Sequence, residues 1–153
     1  MAGHWLVDDL DAERLLADWR WLCPLNVTIV DRNAYGDLFL RDEGGRVFRL
    51  NVAIGNLSLI AESEAQFLVL CQDADNREEW FAESDTRAAA ERGLTPGPSQ
   101  CIGFSVPLVF AESGFANNAY IADIYDHVGF LGDLHKQIAA VPDGAKVKLV
   151  IKR

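Results

Sequence analysis

The sequence predicts an α+β fold, an antiparallel or mixed sheet built on a β-meander with several helices packed against it. Three observations carry this reading. Apolar spacing is helical near the N-terminus, changes to a period of two between residues 27 and 60, and returns to helical from Ser63 onward. The short apolar runs of the middle region are joined by residues suited to tight turns. No internal repeat and no long Pro/Gly/Ser linker divides the 153 residues, so one domain spanning 1–153 is expected.

The elements follow in order. Leu10, Leu15, Leu16, Trp19 and Leu22 recur at near-helical spacing, Asp8, Asp9 and Asp11 favour a helix N-terminus, and Pro24 ends the segment, so a helix is expected over 10–22. Val27–Val30, Asp37–Arg41, Arg46–Val52 and Asn56–Ile60 read as strands, with a hairpin at Asp42-Glu43-Gly44-Gly45 and a reversal at Gly55-Asn56. Ser63-Glu64-Ala65-Gln66 is a capping box and opens a helix to about Gln72. Asp75-Asn76-Arg77-Glu78 repeats the signal, predicting a second helix that runs to Arg92 and stops at Gly93. Thr95-Pro96-Gly97-Pro98-Ser99 is a loop. Ile102–Phe110 and Tyr120–Tyr125 read as strands, 127–140 as a helix capped by Asp126, and Lys146–Lys152 as a last half-exposed strand after the turn Pro142-Asp143-Gly144.

Composition excludes several classes of function. Half the residues are apolar and 24% are charged, an ordinary globular mixture, but 14 basic residues face 23 acidic ones for a net charge of -9. Such a chain repels phosphate backbones and anionic lipid, so neither direct nucleic-acid binding nor membrane binding is expected. No apolar run approaches the roughly 18–20 residues of a membrane span, and no secretory signal is visible, so a cytoplasmic location is expected. Cys23, Cys71 and Cys101 are odd in number and widely spaced, with no CxxC pair, and read as reduced thiols in or near the core.

No catalytic, cofactor or metal-ligating set is predicted. The densest metal-type group is His127 and His135 with Asp123, Asp126 and Asp133. Helical ligand pairs need spacings of three or four, whereas Asp133 and His135 are two apart and the histidines eight apart. Asp126 therefore reads as a cap and the rest as an exposed helix face. No nucleophile elbow, phosphate-binding glycine loop or flanked cysteine occurs.

The charge, however, is uneven. Between Glu62 and Arg92 nine acids stand against three arginines, a local net of -6. Trp80 and Phe81 lie in the middle of this run. The plain reading is a solvated acidic helix with an aromatic turned into the core. The functional one is an acidic docking face of Asp75, Glu78, Glu79, Glu83 and Asp85 with Trp80 as its anchor. The terminal segment is basic (Lys146, Lys148, Lys152, Arg153), so the molecule is expected to be electrically polarised.

A family resemblance bears on this choice. The stretch Tyr35-Gly36-Asp37-Leu38-Phe39-Leu40-Arg41-Asp42-Glu43-Gly44-Gly45-Arg46-Val47-Phe48-Arg49-Leu50-Asn51 is followed by Glu62-Ser63-Glu64-Ala65-Gln66-Phe67-Leu68. Then come Cys101-Ile102-Gly103-Phe104-Ser105-Val106-Pro107-Leu108, Leu131-Gly132-Asp133-Leu134-His135-Lys136-Gln137-Ile138 and Pro142-Asp143-Gly144. In this order, over roughly residues 5–150, they resemble the bacterial immunity proteins to type VI secretion DNase effectors, a family once catalogued as a domain of unknown function and often found with a preceding GAD-like domain. The chain departs from longer members in having no room for a full GAD-like domain and in the segment Ala111–Ala119. The resemblance implies a non-enzymatic inhibitor of a cognate toxin, with no cofactor. A basic nuclease domain would be its partner. The alternatives are a general interaction domain of the SMI type, without a toxin partner, and an enzyme using the His127–His135 region. Homodimerisation is left open by the sequence.

Overall fold

The computed structural model describes residues 5–24, 26–105 and 119–141. Its centre is a four-stranded antiparallel meander in the order β1 (Thr28–Arg32), β2 (Leu38–Arg41), β3 (Val47–Asn51), β4 (Asn56–Ala61). The α+β expectation holds. Each hairpin turns where a residue tolerates positive φ: Gly45 sits at +86° between β2 and β3, and Gly55 at +71° between β3 and β4. Asp42 closes the first of these, its backbone donating to the Arg46 carbonyl at 2.9 Å.

The sheet is covered on both faces, which explains the unbroken apolar run Leu38-Phe39-Leu40 in its second strand, all three fully buried. Phe39, Val47 and Ala61 pack one side against α2 (Glu64–Leu70) and α3 (Ala74–Phe81) through Phe67, Cys71, Trp80 and Phe81. Leu38, Leu40, Leu50 and Ile29 pack the other against the N-terminal segment and α5 (Ile124–Ala139) through Leu15, Trp19, Val128 and Leu131. A second, two-stranded sheet of β5 (Gln100–Phe104) and β6 (Ala119–Asp123) pairs Gln100 with Asp123 through Phe104 with Ala119. Two features tie it to the meander. The Ile102 amide donates to the Ala34 carbonyl at 2.7 Å. The fully buried Arg32 guanidinium donates to the carbonyls of Asn33, Pro98 and Gln100.

Four local expectations are corrected. The helix expected over 10–22 is only Ala12–Leu16 (α1), capped by Asp11, and tightens into a 3-10 turn at Ala17–Trp19. Residues two apart diverge on an α-helix, yet the rings of Trp19 and Trp21 stack at 5.9 Å and both indoles donate to carbonyls of α5, at Val128 and Gly132. Satisfying both indoles on one helix is incompatible with continuing α1. The single helix expected over 75–92 is two, α3 and α4 (Glu83–Glu91), because Ala82 adopts φ +49°. Its N-cap is Asp73 rather than Asp75, accepting from the amides of Asp75 and Asn76. Likewise α5 begins at Ile124 with Asp123 as cap, and Asp126 lies in its first turn, donating its amide to Asp123. His127 and His135, read as part of an exposed face, are buried at 9% and 5% exposure because they share the apolar stripe of Val128, Leu131 and Leu134. The capping box forms at Ser63, whose hydroxyl accepts from the Gln66 amide, while Gln66 reaches back to the Glu62 amide. The final strand expected at Lys146–Lys152, its turn at Pro142-Asp143-Gly144 and the end of the strand expected over Ile102–Phe110 lie outside the described residues.

Candidate functional site

The acidic run folds into an elbow. Asp73 caps α3, and the α4 N-terminus is served by Glu78, six residues back, whose carboxylate accepts from the Ser84 amide at 3.1 Å and from its hydroxyl at 3.0 Å. Arg77 braces the inside. It donates to the carbonyls of Cys71 and Gln72 and pairs with Glu83, Nε to Oε1 at 3.3 Å. The six residues singled out in the sequence therefore separate. Asp75, Glu78, Glu79 and Asp85 are exposed. Glu83 is half-buried and engaged with Arg77. Trp80 is not an anchor: it is 7% exposed, its ring 5.8 Å from Phe67 and 6.4 Å from Phe39, and its carbonyl accepts from Asn33. The sheet face beneath α3 needs large apolar cover, and Trp80 and Phe81 supply it together. Among the described residues, none of the four exposed acids is in a salt bridge.

A cleft of about 1130 Å³ opens between the meander, the β5–β6 sheet and α5, with Ala82 of the elbow in its lining. Its lining includes a polar hub of Asn33, Asp37 and Arg49, of which the sequence marks Asp37 and Arg49 only as strand residues. Asp37, 4% exposed, accepts from Arg49 at 2.8 Å, from the Asn33 amide group and from the Val52 backbone. Asn33 in turn accepts from the backbones of Tyr35 and Asp37. The signal was Asn33 and Asp37 standing four apart immediately before the most apolar strand of the chain, where a buried polar pair must be satisfied internally.

Of the five residues of the metal-type group, Asp123, Asp126, His127 and Asp133 line this cleft and His135 does not. Among the described residues no three acids, histidines or cysteines converge tightly enough to hold a metal ion. Burial pushes the His127 pKa down to about 4, partly opposed by a hydrogen bond to the Tyr35 carbonyl, so the ring is neutral at pH 7. His135 is lowered by burial too, and its Nε2 lies 3.1 Å from the Ala53 carbonyl. The three cysteines are buried free thiols, and desolvation raises Cys101 to about 12 and Cys23 and Cys71 to about 11, which leaves almost no thiolate at neutral pH. Among the described residues no helix is long and apolar enough to cross a membrane. No protein-family model matches the chain, and no curated protein matches it either.

Proposed function

We propose that this protein is an immunity protein that binds and neutralises a basic nuclease toxin of a type VI secretion system in the cytoplasm of the producing cell. One observation carries the reading: Asp75, Glu78, Glu79 and Asp85 stand exposed on the α3–α4 elbow with no cationic partner among the described residues. A nuclease must present a basic surface to DNA, and a rigid array of carboxylates competes for that surface. The resemblance along residues 35–51, 62–68, 101–108, 131–138 and 142–144 supports the same class of partner. The docking face differs from the sequence expectation in lacking an aromatic centre, so the interaction is electrostatic in character and weakens with salt.

Co-expression tests the function. Cells producing the neighbouring toxin gene product should grow only when this chain is present, and an unrelated protein of equal charge should not rescue them. The face is tested by Asp75→Lys, Glu78→Lys, Glu79→Lys and Asp85→Lys combined, which should weaken toxin binding about tenfold or more, chiefly through a slower association. A folded variant that binds like wild type removes the elbow from the interface.

A further inference from the structure

The acidic elbow adjoins the cleft at Ala82, which joins α3 to α4 and is also among the residues lining the cleft. Across the cleft stands α5, where Asp126, Phe130 and Asp133 are spaced four and three apart and so share one helical face. Asp126 is exposed, and Phe130 and Asp133 are half-buried. Asp18 joins them from the 3-10 turn, its Oδ2 3.0 Å from where a Cβ on Gly129 would lie. The cation among the described lining residues, Arg49, is already held by Asp37, and no salt bridge within the described residues neutralises Asp18, Asp126 or Asp133. Aromatic side chains share the lining with these charges: Phe130 on the same face of α5, and Tyr120 and Phe104 from the β5–β6 sheet.

Those features select a type of ligand. A compact metal ion needs convergent carboxylates, and among the described residues these do not converge; Asp126 and Asp133 stand about two turns apart along one wall, α5. A cation on a long aliphatic stem suits the wall, since its stem lies against the rings and its head reaches a carboxylate. A volume of about 1130 Å³ exceeds that of a single side chain several times over and is above the usual range for a small-molecule site of roughly 300–1,000 Å³.

We infer that the cleft is a docking groove for an extended basic segment of a partner protein, with Asp126 and Asp133 receiving Lys or Arg heads and Phe130 their stems. That the partner is a toxin rests on the proposed function; the groove's preference for a basic segment does not. The acidic elbow then draws the partner in and the groove fixes its register.

The probe is the peptide acetyl-Gly-Arg-Gly-Arg-Gly-Arg-Gly-amide, titrated into the full ¹⁵N-labelled chain. The largest amide shifts should fall on Tyr120, Asp126, Gly129 and Phe130, and Asp126→Asn with Asp133→Asn should weaken binding about tenfold. Glu78→Gln with Glu79→Gln, on the elbow, should weaken it less. Shifts confined to α3 and α4, an unchanged affinity in the folded cleft variant, or spermidine binding as tightly as the peptide would each overturn the groove. The wild-type shift map stands even if the double variant misfolds. Failure of co-expression rescue alongside cleft shifts would sink the toxin reading and leave the groove intact.

Discussion

Replacing Gly55 with alanine tests how the meander is locked onto α5. Gly55 turns the chain between β3 and β4 at φ +71°, and its amide donates to the Asn51 carbonyl at 2.9 Å. A Cβ there would sit 2.7 Å from both Cγ and Nδ1 of His135 and 3.1 Å from its Cβ. The imidazole has little room to retreat. It is buried, its Nε2 is engaged with the Ala53 carbonyl, and its ring lies 6.0 Å from Trp19, whose indole is itself bonded to Val128. The left-handed backbone costs an alanine about 1–2 kcal/mol, and forcing extra volume into a packed site costs about 1–3 kcal/mol. The stiffer unfolded chain returns about 0.4–1 kcal/mol. The expected loss is therefore about 1–4.5 kcal/mol, centred near 3 and so a large share of the 5–15 kcal/mol or so that holds a typical domain.

Gly45→Ala is the control, since φ there is +86° and nothing lies within 4 Å of its Cβ position. It should lose only the backbone part, about 1 kcal/mol. Urea unfolding followed by tryptophan fluorescence measures both, and a cycle of Gly55→Ala with His135→Ala isolates the contact. Equal losses at the two glycines, with coupling to His135 below about 0.5 kcal/mol, would refute the packing argument.

Three other outcomes follow from the same geometry. Gly132→Ala should destabilise by about 1–3 kcal/mol despite a better helix propensity, because its Cβ would meet the Asp18 carbonyl oxygen at 2.6 Å; a thermal midpoint at or above wild type would contradict this. Asp37→Ala strands the half-buried Arg49 guanidinium and the Val52 amide and should cost about 3–5 kcal/mol in urea unfolding; a loss under about 1 kcal/mol would show the hub to be dispensable. His127 has a folded pKa of about 4 against an ordinary 6.5, so the unfolded chain takes up the proton first: this contribution is full above pH 6.5 and is lost as pH falls towards 4, by up to about 3 kcal/mol. Unfolding measured between pH 7.5 and 4.5 should show that slope, and His127→Gln should flatten it; a slope unchanged in the variant assigns it to other groups.

What was legible in the sequence was what neighbours in the chain decide. The Ser63 cap, the Asp42–Gly45 hairpin and the strands of the meander follow from residues within a few positions of each other, and they stand within a residue or two of where they are expected. The elbow was not legible, because a left-handed Ala82 has no local signature and the Ser84 amide is satisfied by Glu78 from the preceding helix. Trp80 is buried, as the plain reading of an aromatic turned into the core has it; only the docking reading made it an anchor, although the continuous Leu38-Phe39-Leu40 implies a sheet that needs cover on both sides. The histidines carried their own signal. Eight residues apart is close to two turns, and the positions between them are apolar at helical spacing, so one stripe holds both. The cleft depends on how two sheets and α5 meet, which no local pattern encodes.

The elbow also explains how so much like charge is carried on so short a segment. A helix N-terminus favours carboxylates by about 0.3–1 kcal/mol each, and the advantage fades beyond the first turn. One continuous helix would offer that setting once and leave Glu83 and Asp85 in its interior, beside other acids. Breaking the helix at Ala82 creates a second N-terminus within the acidic run. Asp75 then lies in the first turn of α3, and Glu83 and Asp85 in the first turn of α4. The left-handed alanine costs about 1–2 kcal/mol, comparable to the gain for two carboxylates so placed, and Glu78 and Arg77 add hydrogen bonds across the bend. The break thus gives Glu83 and Asp85 a favourable helix end at little net cost. The residue that bends, Ala82, is also among those that line the cleft.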